Sequence, residues 1–185
     1  MYGLINNTFR KFVAKTYGDD CWNSVQMRTE LDEDCFLSFR KQADDSTYAL
    51  VGAASEILEI PGALLLEQYG RYWVDNVAKV QFSQIMEVTG KDFVGFVNNL
   101  DGMHKGISGT FLGYSPPKFH LEKHDEAYYR LSYRSVRAGL TPFVSGLLQG
   151  LGSHFKTSIE IKSIDTVQSD EGEYSEFLLE LTSHT

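Results

Sequence analysis

The spacing of apolar residues changes once along this chain, and that change restricts what the chain can fold into. Up to about Gly109 they recur every three or four positions, as on one side of a helix; beyond it they alternate, as on one face of a strand. Helices followed by an antiparallel sheet predict an α+β fold: an N-terminal helical lobe, then a lobe with a four-stranded antiparallel sheet and packed helices. The 185 residues are enough for one domain with a sizeable core and room for a ligand. We expect a single unit over 1–185, with the helical lobe at about 1–60 and the remainder at about 61–185.

Ile5, Phe9, Phe12 and Val13 make the first stripe, which Gly18 ends. Asp19 or Asp20 is placed to cap a short second helix. The "DDST" at 44–47 is placed to cap a third, with Leu50, Val51, Ala54, Ile57 and Leu58 as its buried side, and Pro61 opens the next at a first-turn position. Helical spacing continues through Tyr72, Trp73, Val77 and Phe82. Gly90 and Asp92 begin a helix with Phe93, Phe96, Val97, Leu100, Met103, His104 and Ile107 along one side. Residues 116–136 read as two strands about a turn at His124 to Glu126, followed by a helix from Thr141 to Phe155 and strands over 157–164 and 174–182.

Two features are unusual within this pattern. His104 occupies an apolar helical face, where an imidazole costs free energy unless its nitrogens find partners. It is either a core histidine bonded to a backbone carbonyl or a ligand to a metal or haem iron. Gly102 and Gly106 flank it and would let a flat ring approach the backbone. The second feature is "YRLSYRSVRAGL", with a phenol, a hydroxyl and a guanidinium at Tyr133, Ser135 and Arg137. On an extended strand these three would share one face over roughly 13 Å. A protein carboxylate would satisfy Arg137 alone, whereas a ligand with two carboxylates, such as haem, would occupy all three.

With this motif, His104 about thirty positions upstream, the opening "MYGLI", the Pro116–Pro117 pair and the "GLLQGLG" helix end, the chain resembles the haem nitric oxide/oxygen-binding (H-NOX) family over essentially its whole length. That family includes bacterial stand-alone proteins and the sensor domain of soluble guanylate cyclase. The resemblance implies haem b between the lobes, His104 as its axial ligand, and Tyr133, Ser135 and Arg137 on the propionates. Ile5 and Pro117 match positions that press on the macrocycle. Trp73, in "GRYWVDN", matches a distal position.

Oxygen-binding members carry a distal tyrosine where this chain has Pro142 or Phe143, and neither has a hydroxyl. The resemblance therefore implies a sensor of nitric oxide and carbon monoxide that discriminates against oxygen, with Tyr2, Tyr72 and, more weakly, Thr141 as hydroxyls that would alter that reading. Signalling by release of the proximal histidine to a histidine kinase or a cyclic-di-nucleotide enzyme is implied in the same way. The alternatives are an oxygen-binding member of the fold and a haem-free module for an apolar small molecule.

Other classes find little support. A formal charge of −8, from 25 acids against 17 bases, leaves no basic stripe for nucleic acid. Cys21 and Cys35 lack CxxC spacing and read as reduced thiols, and with no leader or membrane-length apolar run the expectation is a cytoplasmic protein. No GxSxG, HExxH, P-loop or GxGxxG occurs, and Ser153 to Lys156 is a lone SxxK match, so we expect no enzyme.

Overall fold

The computed structural model describes residues 1–108 and 115–183. The expected change of pattern near Gly109, and His184 at the tail, lie outside the described residues. Helices α1 (Gly3–Tyr17), α2 (Asp19–Thr29), α3 (Asp44–Leu58) and α4 (Gly62–Trp73) come first, with a 3-10 turn at Glu33–Phe36. A wide π turn at Val74–Ala78 leads into the short α5 (Lys79–Gln81), then α6 (Ser83–Thr89) and α7 (Phe93–Ser108). After them come β1 (Lys118–Lys123), β2 (Tyr128–Arg134), α8 (Thr141–Phe155), β3 (Thr157–Val167) and β4 (Tyr174–Ser183). The strands form one antiparallel sheet in the order β1-β2-β4-β3. The α+β fold is as the sequence predicts.

Helix starts differ in detail from the expected caps. Gly18 and Ala43 stand at the cap positions of α2 and α3, so Asp19, Asp20, Asp44 and Asp45 fall in first turns, where their charge suits the positive end of the helix dipole. Pro61 is itself the cap of α4, one place earlier than expected. Asp92 does cap α7, its Oδ1 accepting the Gly95 N–H at 2.7 Å. The start of α1 has no side-chain cap. Its first N–H groups are met by the loop that leads into α3: Gly3 N–H donates to Arg40 O at 2.9 Å and Leu4 N–H to Ser38 O at 3.1 Å.

Two apolar cores result. One gathers Phe9, Phe12, Trp22, Val25, Leu50, Leu65 and Tyr69 from α1 to α4; the other gathers Phe93, Phe96, Leu131, Leu148, Phe177 and Leu179 from α7, α8 and the inner sheet face. Helices α4 and α8 bridge them by crossing closely at glycines. A Cβ at Gly70 would stand 2.2 Å from Phe143 O, and one at Gly146 would stand 1.9 Å from Glu67 O. That approach places Trp73 and Phe143 together, their rings 6.5 Å apart.

Among the described residues no single helix is long and apolar enough to cross a membrane. Only α3 and the run Gly62–Gln81 taken together reach that length, and they bend by 111° where they meet.

Candidate functional site

Ile5, Trp73, His104, Pro117, Tyr133, Ser135, Arg137 and Phe143, drawn from positions up to 138 apart in sequence, all line one cavity of about 380 Å³ between the two cores. Most of the wall is hydrocarbon, from Leu4, Val51, Leu66, Val97, Leu100, Met103, Ile107 and Leu147 among others. The volume is in the ordinary range for a small-molecule or cofactor site.

Helix α7 delivers His104, and its apolar stripe, instead of packing solid, forms the cavity wall. Burial holds the imidazole below its ordinary value of 6.5, against the opposing charge of Asp101. It is therefore neutral at neutral pH and keeps a lone pair for coordination. Asp101 also fixes α7 to β1, its Oδ1 accepting the Phe119 N–H at 3.1 Å. The Phe119 ring then stands 6.2 Å from His104 and 5.4 Å from Tyr133.

The donor trio is assembled differently from the expected strand row. Tyr133 is on β2, but the strand ends at Arg134, and Ser135 and Arg137 lie in the turn beyond it. The physical cause is Pro117: β1 pairs Lys118 with Arg134, and the next partner has no N–H to continue the ladder. The turn then brings Ser135 and Arg137 together, the Arg137 N–H donating to Ser135 Oγ at 3.1 Å. Burial pushes the Tyr133 phenol up, against its hydrogen bond to Ser135.

A protein carboxylate does meet Arg137 in the fold. Asp44 Oδ2 accepts from Arg137 Nε at 3.0 Å, and Ser115 O accepts from Nη1 at 3.0 Å. Asp44 also pairs with the Met1 ammonium through its other oxygen. Burial works to raise the Asp44 carboxyl, but the hydrogen bonds from the ammonium and Arg137 outweigh it and hold the group below its ordinary value. Two of the five guanidinium N–H donors are used in these bonds; among the described residues one on Nη1 and both on Nη2 are left for a ligand.

Phe143, not Pro142, reaches the cavity. Of the hydroxyl candidates, Tyr2 lines it, while Tyr72 packs on Phe12 at 5.4 Å in the core of α1 to α4 and Thr141 bonds Ser175 at 2.9 Å. The sequence reading missed Tyr69, which lies one turn beyond Leu65 on the buried side of α4. Its ring walls the cavity, 5.1 Å from Phe143, and its hydroxyl sits 2.7 Å from Thr8 Oγ1 and donates to Ile5 O at 2.9 Å. The SxxK residues are structural: Ser153 Oγ donates to Gln149 O at 3.2 Å, and Lys156 takes the left-handed conformation that ends α8. Cys21 and Cys35 are free thiols.

Fold and cavity together define a ligand-binding α+β protein whose pocket offers one neutral imidazole and, at another point of its wall, a cluster of donors. The chain belongs to the haem-NO-binding family, whose model matches residues 2–163. Soluble guanylate cyclase gcy-31 of Caenorhabditis elegans is 27% identical over 166 residues, 89% of this chain and 24% of that one. Soluble guanylate cyclase 89Da of Drosophila melanogaster is 22% identical over 163 residues, 88% and 24%. The chain thus spans about a quarter of the length of these curated relatives. An H-NOX protein from S. oneidensis in the Fe(II) state has the same fold at a TM-score of 0.87 and 22% identity, covering 100% of this chain and 98% of that one. The Fe(II)NO state of an H-NOX protein from the same source gives 0.84 at 21% identity, with 99% and 100% covered. Domains of this family bind haem and sense gases.

The residues present fit that cofactor. His104 offers a single neutral nitrogen donor on the cavity wall, which suits an iron whose other ligands a porphyrin supplies. The apolar wall suits the ring and the donor cluster suits its carboxylates.

Proposed function

We propose that this chain is a single haem b-based sensor domain for nitric oxide, which also binds carbon monoxide, discriminates against oxygen and passes its signal to a separate protein. The observation that supports this most is the convergence of His104 and the Tyr133–Ser135–Arg137 cluster on one apolar cavity. His104 would hold the iron, and the cluster would hold the propionates through the remaining guanidinium hydrogens of Arg137 and the two hydroxyls. Ile5 and Pro117 would press on the ring, and Trp73 and Phe143 would wall the gas site. Bound haem would supply a ferrous iron able to take a diatomic gas.

The absence of a tyrosine at 142 or 143 underlies the discrimination against oxygen. A donor to a partly charged ligand is worth about 1.5 to 3 kcal/mol, or tenfold to a hundredfold in affinity, and dioxygen depends on that help more than nitric oxide does.

The signal would be carried by His104, whose release would free α7 to shift. Through Asp101 and Phe119 that shift moves β1 and Tyr133, and through Arg137 and Asp44 it reaches the start of α3. Coupling requires contacts that differ between two states, and these are the contacts that such a shift would change. The readout is a histidine kinase or a cyclic-di-nucleotide enzyme.

Protein produced with haem available and then reduced should show the Soret band of a five-coordinate ferrous haem, shifting on nitric oxide and not on air. A stable oxygenated spectrum would indicate an oxygen-binding member, and colourless protein a haem-free module. His104→Gly should lose haem or need added imidazole to keep it; unchanged spectra would reassign the axial residue.

A further inference from the structure

The turn that carries Ser135 and Arg137, between the end of β2 at Arg134 and the start of α8 at Thr141, stands open to solvent on one side. Val136 is 83% exposed, and a side chain added at Gly139 would meet open space. On the other side the turn is gripped by one face of α3. Asp44 and Tyr48 are four positions apart on that helix and so are neighbours on its surface. Asp44 Oδ2 accepts from Arg137 Nε at 3.0 Å, and the Tyr48 hydroxyl donates to Ala138 O at 2.9 Å. Consecutive residues of the turn are thus tied to successive turns of one rigid element. With the ion pair alone the turn could pivot about it; the second tie fixes its direction as well as its place. Tyr48 is 37% exposed, so core packing does not account for it. Burial and the Asp44 charge push its phenol up, which keeps it protonated and able to donate at neutral pH.

We propose that Tyr48 is a positioning residue for the donor cluster: by holding Ala138 O it keeps Arg137 on the cavity wall, where the remaining guanidinium hydrogens can meet a ligand carboxylate. This rests on the haem reading above, in which that carboxylate is a propionate. Tyr48 itself stands outside the cavity wall, so it acts through Arg137 and not on the ligand. Its loss would leave the ring and iron contacts in place and loosen only the grip on the carboxylates.

The test loads the unaltered protein and Tyr48→Phe with haem and, separately, with haem dimethyl ester, whose carboxyls are capped, and follows transfer of each to excess apomyoglobin. Tyr48→Phe should speed the loss of haem about three- to tenfold, the worth of one hydrogen bond, and change the loss of the ester less than about twofold. In an Arg137→Gln background the same substitution should change haem loss less than about twofold, because the residue through which it acts is gone. Either comparison decides if the other complex does not load. Equal acceleration of both porphyrins, acceleration that persists without Arg137, or an unchanged rate of haem loss overturns the proposal and leaves the haem reading intact. Protein that takes up no haem overturns both, and shows this before any transfer is measured.

Discussion

Asp44 holds two cations at once, the Met1 ammonium and Arg137, and so joins the start of α1 to the donor cluster. Its folded pKa is depressed, so its contribution to stability is present above the ordinary carboxylate value of 3.8 and disappears as pH falls through the lower folded value. Asp44→Asn should cost about 0.5 to 1 kcal/mol at pH 7 and flatten the acid limb below pH 4, as read by urea titrations at several pH values. His104 acts in the neighbouring pH range with the same sign. Burial favours its neutral form in the folded state, so below pH 6.5 the unfolded chain takes the proton first and stability falls with pH. In haem-free protein, His104→Gln should reduce the slope of melting temperature between pH 5 and 7. Tyr69→Phe keeps the ring and removes the phenol's hydrogen bonds to Ile5 O and Thr8, while the Thr8 hydroxyl keeps those to Leu4 O and Ile5 O; a loss of about 0.5 to 1.5 kcal/mol in urea unfolding is expected.

At the scale of elements, the crossing of α4 and α8 tolerates no side chain at its centre. Gly146→Ala would drive a methyl into the Glu67 carbonyl, forcing the helices apart and parting Trp73 from Phe143. We expect about 3 kcal/mol or more of destabilisation, with an enlarged cavity visible as faster ligand exchange. The elements themselves were largely legible in the sequence. Helix α8 runs from Thr141 to Phe155 as its spacing indicates, because glycines and apolar residues alternate at helical period between a proline start and a reversal at Lys156. The donor trio was misread because strand periodicity says nothing of where a ladder ends. That depends on the partner across it, here Pro117. The caps of α2 and α3 differ from the sequence reading for a related reason: acids suit both a cap and a first turn, and at α3 Asp44 is engaged by the Met1 ammonium and Arg137 instead of by its own helix.

For the whole molecule, a cavity of about 380 Å³ between two cores is a cost the polypeptide carries without its cofactor. Haem removal should lower the melting temperature, and titrating haem back to a hundred times its Kd should restore about 2.7 kcal/mol, followed by calorimetry. That the eight candidate residues meet was legible only through the family resemblance, since contacts between residues 5 and 143 leave no periodic trace. Asp44 and Tyr69 were missed because their roles depend on which segments the fold brings beside them. The π turn at Val74–Ala78 gives the chain one residue more than a regular helix needs between Trp73 and Lys79. Excising a single residue there would let one straight helix run on from Gly62, swinging Phe82 and everything attached to it by roughly 100° about the axis. Length at this point is thus a dial on the shape of the chamber, and a deletion scan of five variants would turn it.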